Sequence, residues 1–311
     1  MFDLNSAKRN VGFVAVAIGF IFLVTLLVQF VIQIVLMLTR PELLYSQLAL
    51  QIINSVSMYL IAMPLSLIFF LRCKQVQRPE RQKLPKTFLF QLFCVCMAGT
   101  YVCSMVGNYI NEIFSAFLRR EAVNPVEEMT SVMPWWQIVI FIVILAPVFE
   151  ELFFRKLVID RLLPYGELPA ILISGVAFGM AHGNFNQFFY AAAIGIVFGF
   201  IYLRSGKIIY SIVLHMIFNL IGGLYTTEAI RFLESGTRFG ELIGLAMNFL
   251  YLALLVVSAI VALVTVLGKG KRYLLFWRPY IAPTQRDWVE ILLRNPAVWF
   301  FYAVVIVMFI L

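Results

Sequence analysis

Charged side chains are scarce in this sequence. Only 13% of its 311 residues are Asp, Glu, Lys or Arg, about half the share found in soluble globular domains. Apolar residues make up 62% and the mean hydropathy is +0.94. Many of them form runs long enough to cross a hydrocarbon core of about 30 Å. The composition excludes a soluble domain and predicts an all-α fold, a polytopic membrane helix bundle with about eight to nine transmembrane helices.

Signatures of disulfides, of common zinc sites and of nucleic-acid binding are also missing. The sequence has no HExxH motif and no CxxC pair, which argues against a zincin and against a disulfide framework. Its cysteines, which fall in or beside one predicted span, are Cys73, Cys94, Cys96 and Cys103. The net charge of +8 comes without a basic face interleaved with aromatic residues. We therefore predict a lipid bilayer, and no nucleic acid, as the partner of this surface.

The apolar runs define the predicted spans and their orientation. The spans lie at approximately 11–38, 48–71, 87–118, 134–154, 168–183, 187–203, 208–224, 241–267 and 296–311. Lys and Arg concentrate in alternate connections, beginning with Lys8 and Arg9 and continuing at 72–86. The connections 119–133 and 225–240 mix signs or carry acids. This alternation predicts a multi-pass protein of the cell membrane with a cytoplasmic N-terminus.

Polar residues divide the chain into three segments. We expect N-terminal transmembrane helices over 1–133, a catalytic core over 134–224, and C-terminal transmembrane helices over 225–311. The last segment includes a piece at 284–294 with Trp and aliphatic residues on one helical face and charges elsewhere. That pattern is typical of a helix lying in the membrane interface.

Two adjacent carboxylates follow a long apolar run in the middle segment. Glu150 and Glu151 come after Pro147, which disturbs a helix, and Arg155 is placed to pair with Glu151 at i,i+4. A charge near the centre of a span costs at least ~2.5–3.5 kcal/mol, so it is a functional candidate. The plainer interpretation is that the two acids mark the cytoplasmic end of a span.

Both histidines of the chain lie in or at the end of apolar helices. His182 ends one predicted helix, and His215 shares a helical face with Asn219 at i,i+4. Glu150 and His182 each lie about 22–24 Å from a turn near residues 164–166, by the rise of an α-helix. The pairs Gly175/Gly179 and Gly195/Gly199 favour close helix packing. Four polar groups can thus meet in one layer, although a lone buried histidine is often only a core residue.

Such a cluster has two chemical uses. A carboxylate and an imidazole sharing a water can act as general base and proton shuttle, and an amide such as Asn219 can stabilise an oxyanion, which is worth ~2.7–4 kcal/mol. Alternatively, Glu150, His182 and His215 match the ligand set of several catalytic zinc sites. Ser174 and Ser211 lack an evident base, which disfavours a serine mechanism.

Three polar motifs lie in the stretch of about 90 residues from 134 to 224. They are Glu150-Glu151-x-x-x-Arg155, Phe178-x-x-x-His182 and His215-x-x-x-Asn219. In order and spacing they resemble the signatures of the CPBP (Abi) family of CAAX proteases and bacteriocin-processing enzymes, which includes the type II CAAX prenyl endopeptidases. The stretch from Gly195 to Gly206 is also typical of that family.

The resemblance implies an intramembrane endopeptidase acting on a peptide or a membrane-anchored protein. Glu150 and His182 would activate the hydrolytic water, and His215 and Asn219 would stabilise the oxyanion. The supporting residues would be Glu151, Arg155 and Phe178. It implies no obligatory metal; if zinc is used, its ligands would be Glu150, His182 and His215.

Two other functions stay open at this point. Some members of the family are immunity proteins for peptide bacteriocins or non-proteolytic scaffolds, so the polar cluster could instead bind a peptide or a partner. A transporter is less favoured, because the sequence shows neither inverted repeats nor paired broken helices.

Overall fold

Helices account for nearly all of the backbone that the structure describes, as expected where lipid leaves backbone polar groups to be satisfied within each segment. The structure is a computed structural model and describes residues 3–73, 84–268 and 282–310. Strands are absent from these three ranges. The helices are α1 Leu4–Thr39, α2 Gln47–Phe70, α3 Lys86–Phe117, α4 Pro125–Val132, α5 Trp135–Tyr165, α6 Glu167–Met180, α7 Phe185–Ser205, α8 Ile208–Leu233, α9 Arg238–Leu267, α10 Gln285–Leu292 and α11 Pro296–Ile310.

The number of membrane spans is slightly lower than the sequence predicts. Seven helices of the described ranges are long and apolar enough to cross a membrane, and α10 with α11 would make an eighth despite a bend of 61°. The main difference is α6, which was expected to span at 168–183. It has 14 residues and is therefore about 21 Å long, short of a hydrocarbon core of about 30 Å. The predicted polytopic all-α fold is confirmed.

The helix expected near the C-terminus is present as α10. It begins after Thr284, whose side chain accepts from the backbone of Asp287 while the Asp287 carboxylate accepts from the backbone of Thr284. This reciprocal cap satisfies two of the donors that every helix start leaves open. Its place in the membrane interface stays a prediction. The basic stretches at 74–83 and 269–272 lie outside the described residues.

By its contacts the chain forms two compact units. The first comprises Met1–Pro79, Leu152–Ser174 and Phe276–Leu311. Within it α1 packs against α2, α10 and α11. The Asn10 amide donates to the Tyr165 hydroxyl at 2.9 Å, and the Asn295 amide donates to the backbone carbonyl of Lys8 at 2.7 Å. These bonds join distant parts of the sequence within this unit.

The second unit comprises Glu80–Glu151 and Gly175–Leu275. In it α3 packs against α7 and α9, and α8 packs against the first half of α5. The predicted close packing of small residues is confirmed between the end of α6 and α7. A Cβ added at Gly175 would lie 2.5 Å from Ile196 Cγ1, and one at Gly179 would lie 2.6 Å from the Phe188 carbonyl oxygen. The division of the chain at 133 and 224 stays a prediction.

Candidate active site

The two adjacent carboxylates lie on a single α-helical turn of α5. That turn, Ala146–Glu151, stands between two wider π-helical stretches, Ile138–Leu145 and Leu152–Ile159. Departures of this kind are frequent at functional sites. The Glu151 side chain is 0% exposed and that of Glu150 is 16% exposed. Neither acid is a solvated helix end, so the plainer interpretation of the pair is wrong.

Pro147 explains why Asn219 is needed beside this turn. The Ala146 N–H donates to the carbonyl of Phe141, five residues earlier. The next nitrogen in that ladder belongs to Pro147, which has no hydrogen to donate. The carbonyl of Ile142 therefore lacks its π-helical donor, and the Asn219 side-chain amide donates to it at 2.8 Å. A buried carbonyl without a partner is costly, so this bond fixes α8 against α5.

His215 on α8 lies between the two carboxylates. Its Nδ1 lies 3.1 Å from Glu151 Oε1, and its Nε2 lies 3.8 Å from Glu150 Oε2. A carboxylate only accepts, so the Nδ1–H of His215 donates to Glu151. The separation of His215 Nε2 and Glu150 Oε2 is too long for a hydrogen bond, so these two groups interact electrostatically. The buried imidazole is thereby oriented by one acid and faces the other.

His182 lies in the turn that follows α6 and not within the helix itself. Its Nδ1 lies 2.9 Å from the carbonyl oxygen of Phe178. Because a carbonyl only accepts, Nδ1 carries the hydrogen, and in the neutral ring the lone pair is on Nε2. The backbone of α6 therefore selects the tautomer in which Nε2 can accept a proton or a hydrogen bond.

The ring of Phe178 brings the two histidines into one cluster. It meets the His182 ring edge-on at a centroid distance of 4.9 Å and the His215 ring edge-on at 5.7 Å. Phe178 is fully buried, and Gly195 on α7 leaves room for it, since a Cβ there would lie 3.0 Å from Phe178 Cδ1. The predicted meeting of the motifs is thus seen for Glu150, His215 and His182, with Phe178 as the contact between the rings.

Arg155 is fully buried within the first unit. Its Nη1 donates to the Ser174 hydroxyl at 3.2 Å, and Ser174 donates to the Phe154 carbonyl at 2.8 Å. The Ser174 hydroxyl therefore takes part in helix packing. The pairing of Arg155 with Glu151 stays a prediction.

Sequence reasoning missed the residues just after His182. Asn184 caps α7 by accepting from the Gln187 backbone at 2.9 Å, and its own amide donates to the Gln187 side chain at 2.9 Å. The signal was available, because an Asn followed three residues later by Gln is a helix-start pattern.

The alternative zinc set does not form a metal cluster here. Among the described residues, no three His, Cys, Asp or Glu side chains are grouped so that they could hold a metal ion. Glu150 and His215 lie together, and the Nδ1–H of His215 donates to Glu151, which leaves Nε2 facing Glu150. Such an orientation suits either use of the ring, so the requirement for a metal stays a prediction.

The fold and the site together define a multi-pass helical membrane protein with a buried carboxylate–imidazole cluster. Residues 132–221, which hold all the predicted site residues, match the family described as type II CAAX prenyl endopeptidase Rce1-like. This match confirms the predicted resemblance to the CPBP, or CAAX protease, family over that part of the chain.

One relative and the solved structures complete the comparison. The chain is 31% identical over 102 residues to a Bacillus subtilis (strain 168) protein named "Putative membrane peptidase YdiL". The alignment covers 32% of this chain and 42% of that protein, so it spans less than half of the relative's length. No solved structure matches the chain.

Proposed function

We propose that the protein is an intramembrane endopeptidase that hydrolyses a peptide bond in a peptide or a membrane-anchored protein. The observation that carries the proposal is the buried His215 ring between Glu151 at 3.1 Å and Glu150 at 3.8 Å. Placing two acids around one imidazole inside a span costs free energy. The arrangement is suited to proton transfer. The family match over 132–221 supports a membrane endopeptidase in general.

The residues suggest how a water would be activated. Glu150 takes a proton from the water while Nε2 of His182 accepts a hydrogen bond from it. The water oxygen bonds to the carbonyl carbon, and the carbonyl electron pair moves to the oxygen. Glu150 then returns the proton to the leaving amine as the C–N bond breaks. The number of protons and electrons at the site is unchanged after one turnover.

His215 and Asn219 are placed to serve the developing oxyanion. Glu151 orients the His215 ring through Nδ1, which leaves Nε2, when protonated, to donate. Asn219 spends one amide hydrogen on the Ile142 carbonyl and has a second to offer. Donors aimed at an oxyanion contribute most when they are held in place before the reaction.

The catalytic roles can be tested with a library of quenched fluorogenic peptides and purified protein. Glu150→Gln and His182→Ala should each lower kcat/KM by about 100-fold to 10,000-fold, the usual contribution of a general base or shuttle. Glu234→Gln, an exposed acid outside the cluster, is the matched control and should cleave like the parent. Equal cleavage by all four proteins would reject the assigned roles.

The same variants separate a protease from an immunity or scaffold protein. A scaffold would bind its partner equally well as parent and as Glu150→Gln, and would cleave no peptide. For a protease, Glu150→Gln should trap the substrate, which mass spectrometry of the captured peptides would then identify.

We further propose that hydrolysis needs no metal. Full activity of chelator-treated protein with substoichiometric zinc, measured by elemental analysis, is the expected result. Activity that is lost on chelation and restored by zinc alone would overturn this part of the proposal.

A further inference from the structure

Arg161 is a buried cation at the end of α5. Only 8% of the residue is exposed, and its guanidinium lies over the ring of Phe70, the last residue of α2, with Cζ 5.8 Å from the ring centroid. A ring face attracts a cation but is not a hydrogen-bond partner of ordinary strength. The Nε of Arg161 is shielded from solvent and has no hydrogen-bond partner among the described residues. A buried charged donor that stays open is costly, which favours an acceptor from outside the protein.

Contacts between three helices of the first unit surround this guanidinium. The Asn10 amide of α1 donates to the hydroxyl of Tyr165, four residues after Arg161, at 2.9 Å. The thiol of Cys73, three residues after Phe70, donates to the Asn10 carbonyl at 3.8 Å. Arg161 therefore lies where the start of α1 meets the ends of α2 and α5, a place named here the Arg161 corner.

The depth of the Arg161 corner follows from the elements that form it. Each of the three helices is long and apolar enough to cross a membrane, and the ends of such helices lie near the lipid headgroups. Tyr165 also meets the ring of Trp288 on α10 edge-on, at a centroid distance of 6.5 Å. Tyr and Trp concentrate at the same depth. The partners available to Arg161 therefore include the phosphates of the bilayer.

Positive charge is concentrated around the Arg161 corner. Arg9 and Arg72 are exposed, and each directly precedes one of the two residues that make the thiol–carbonyl contact. The acid next to Arg161 in the chain, Asp160, already pairs with Lys156 at 3.6 Å. The corner thus favours a ligand with a net negative charge over a zwitterion.

We propose that the Arg161 corner binds the phosphate of an anionic lipid headgroup of the phosphatidylglycerol class, with Arg161 as its main donor. A guanidinium matches a phosphate in geometry as well as in charge. Arg9 and Arg72 add attraction at the surface, and a basic pocket between helix ends is a common place for an acidic headgroup. The proposal does not depend on the peptidase function.

Native mass spectrometry of the purified full chain in detergent can count the phosphatidylglycerol molecules that stay bound. Arg161→Met keeps an apolar stem against Phe70 and should weaken binding of the tightest lipid by about tenfold to 100-fold, the range for a hydrogen bond to a charged group. Arg204→Met is the matched control and should bind like the parent. Arg204 is also 8% exposed and lies over the Phe200 ring at 5.6 Å, but it has a further partner within the protein. Equal binding by Arg161→Met and the parent would overturn the proposal.

Thermal unfolding of the parent covers an Arg161→Met protein that folds poorly. The midpoint should be higher in nanodiscs that contain phosphatidylglycerol than in phosphatidylcholine alone, because a ligand of the folded state stabilises it. Arg161→Lys keeps the charge without the planar fork and should lose most of this difference. Equal midpoints of the parent in both lipids, an unchanged difference in Arg161→Lys, or a rise produced by inorganic phosphate without the anionic lipid would each overturn the assignment.

Discussion

At the scale of single residues, Glu151 shows what a second carboxylate is for. It is fully buried and accepts from Nδ1 of His215, so it sets both the tautomer and the angle of the ring. We expect Glu151→Gln to fold, with its unfolding free energy lowered by about 1–3 kcal/mol for the lost charge-assisted bond. It should lower kcat by up to about 10,000-fold, since removing a charged orienting group has that effect in comparable triads.

Thermal unfolding and peptide cleavage, measured on the same preparation, check this prediction. Glu234→Gln again serves as the surface control. Turnover at the parental rate in Glu151→Gln would show that the ring does not depend on its buried acid.

Phe178 is the residue that ties the two histidines together. Phe178→Ala should cost about 3–5 kcal/mol of stability, as large aromatic truncations in cores do, and should also reduce turnover because both rings lose a neighbour. Phe88 is buried too and packs against Phe200 at a centroid distance of 6.4 Å. Phe88→Ala should lose similar stability but keep its activity at permissive temperature. Equal loss of turnover in both variants would contradict a specific role for Phe178.

At the scale of helices, Pro147 lowers stability and favours function. Proline within a helix costs about 3 kcal/mol, and here it also creates the acceptor for Asn219. We expect Pro147→Ala to supply the missing N–H to the Ile142 carbonyl and to raise the unfolding free energy by about 1–3 kcal/mol. The Asn219 amide and the Glu150 turn would then move, and kcat should fall by at least about tenfold.

Denaturant unfolding and cleavage kinetics test this opposite change in stability and activity. Pro125, at the first position of α4, is the matched control, because proline is well tolerated there and Pro125→Ala should change neither quantity much. A Pro147→Ala protein that is less stable and fully active would contradict the explanation.

The approach of α6 to α7 depends on glycine. A Cβ at Gly175 would lie 2.5 Å from Ile196 Cγ1 and 2.8 Å from the Ile196 backbone nitrogen, so Gly175→Ala forces the helices apart. We expect a loss of about 1–3 kcal/mol. At Gly99 of α3 an added Cβ meets nothing within 4 Å, so Gly99→Ala should gain about 0.5–1 kcal/mol. Thermal midpoints that shift in the same direction would refute this difference.

Much of the site could be predicted at this scale, because a fixed helical rise places Glu150 and His182 at similar distances from the turn between α5 and α6. The positive φ of Gly166 in that turn fits the same expectation. The bond from Asn219 to Ile142 could not be predicted, since it depends on a local change from α-helical to π-helical hydrogen bonding. The hydrogen bond from His182 Nδ1 to the Phe178 carbonyl could not be predicted either, since it depends on how the chain turns after α6.

At the scale of the whole molecule, orientation in the membrane is the next property to measure. Positive charge near Lys8 and Arg9 predicts a cytoplasmic N-terminus. In intact cells, a membrane-impermeant maleimide should label Glu121→Cys, in the exposed connection before α4, and should label Asn5→Cys only after lysis. The reverse pattern would invert the predicted topology.

The native thiols provide the background for that assay. Cys73, Cys94 and Cys96 are buried, and Cys103 is partly buried. The parent protein should therefore label weakly on both sides, and any strong signal would need these cysteines to be replaced first.

The number of spans was harder to predict than the fold class. Hydropathy recognises an apolar stretch but does not tell where a helix ends, so residues 168–183 read as a span although α6 stops at Met180. The end of the helix is signalled by the polar turn from Ala181 to Asn184, in which Gly183 has a φ of 66°. A residue that favours a left-handed backbone ends a helix even within apolar surroundings.

The early end of α6 has a consequence for how a hydrolase can work inside lipid. A helix of this length that began at one face of the hydrocarbon core would end about 9 Å short of the other face. Irregular backbone at that depth is tolerated only where protein covers it or where it lines a hydrated cavity. The carbonyls and amides around His182 therefore favour local entry of water. The water that peptide hydrolysis consumes would then reach the imidazole without a dedicated channel through the bilayer.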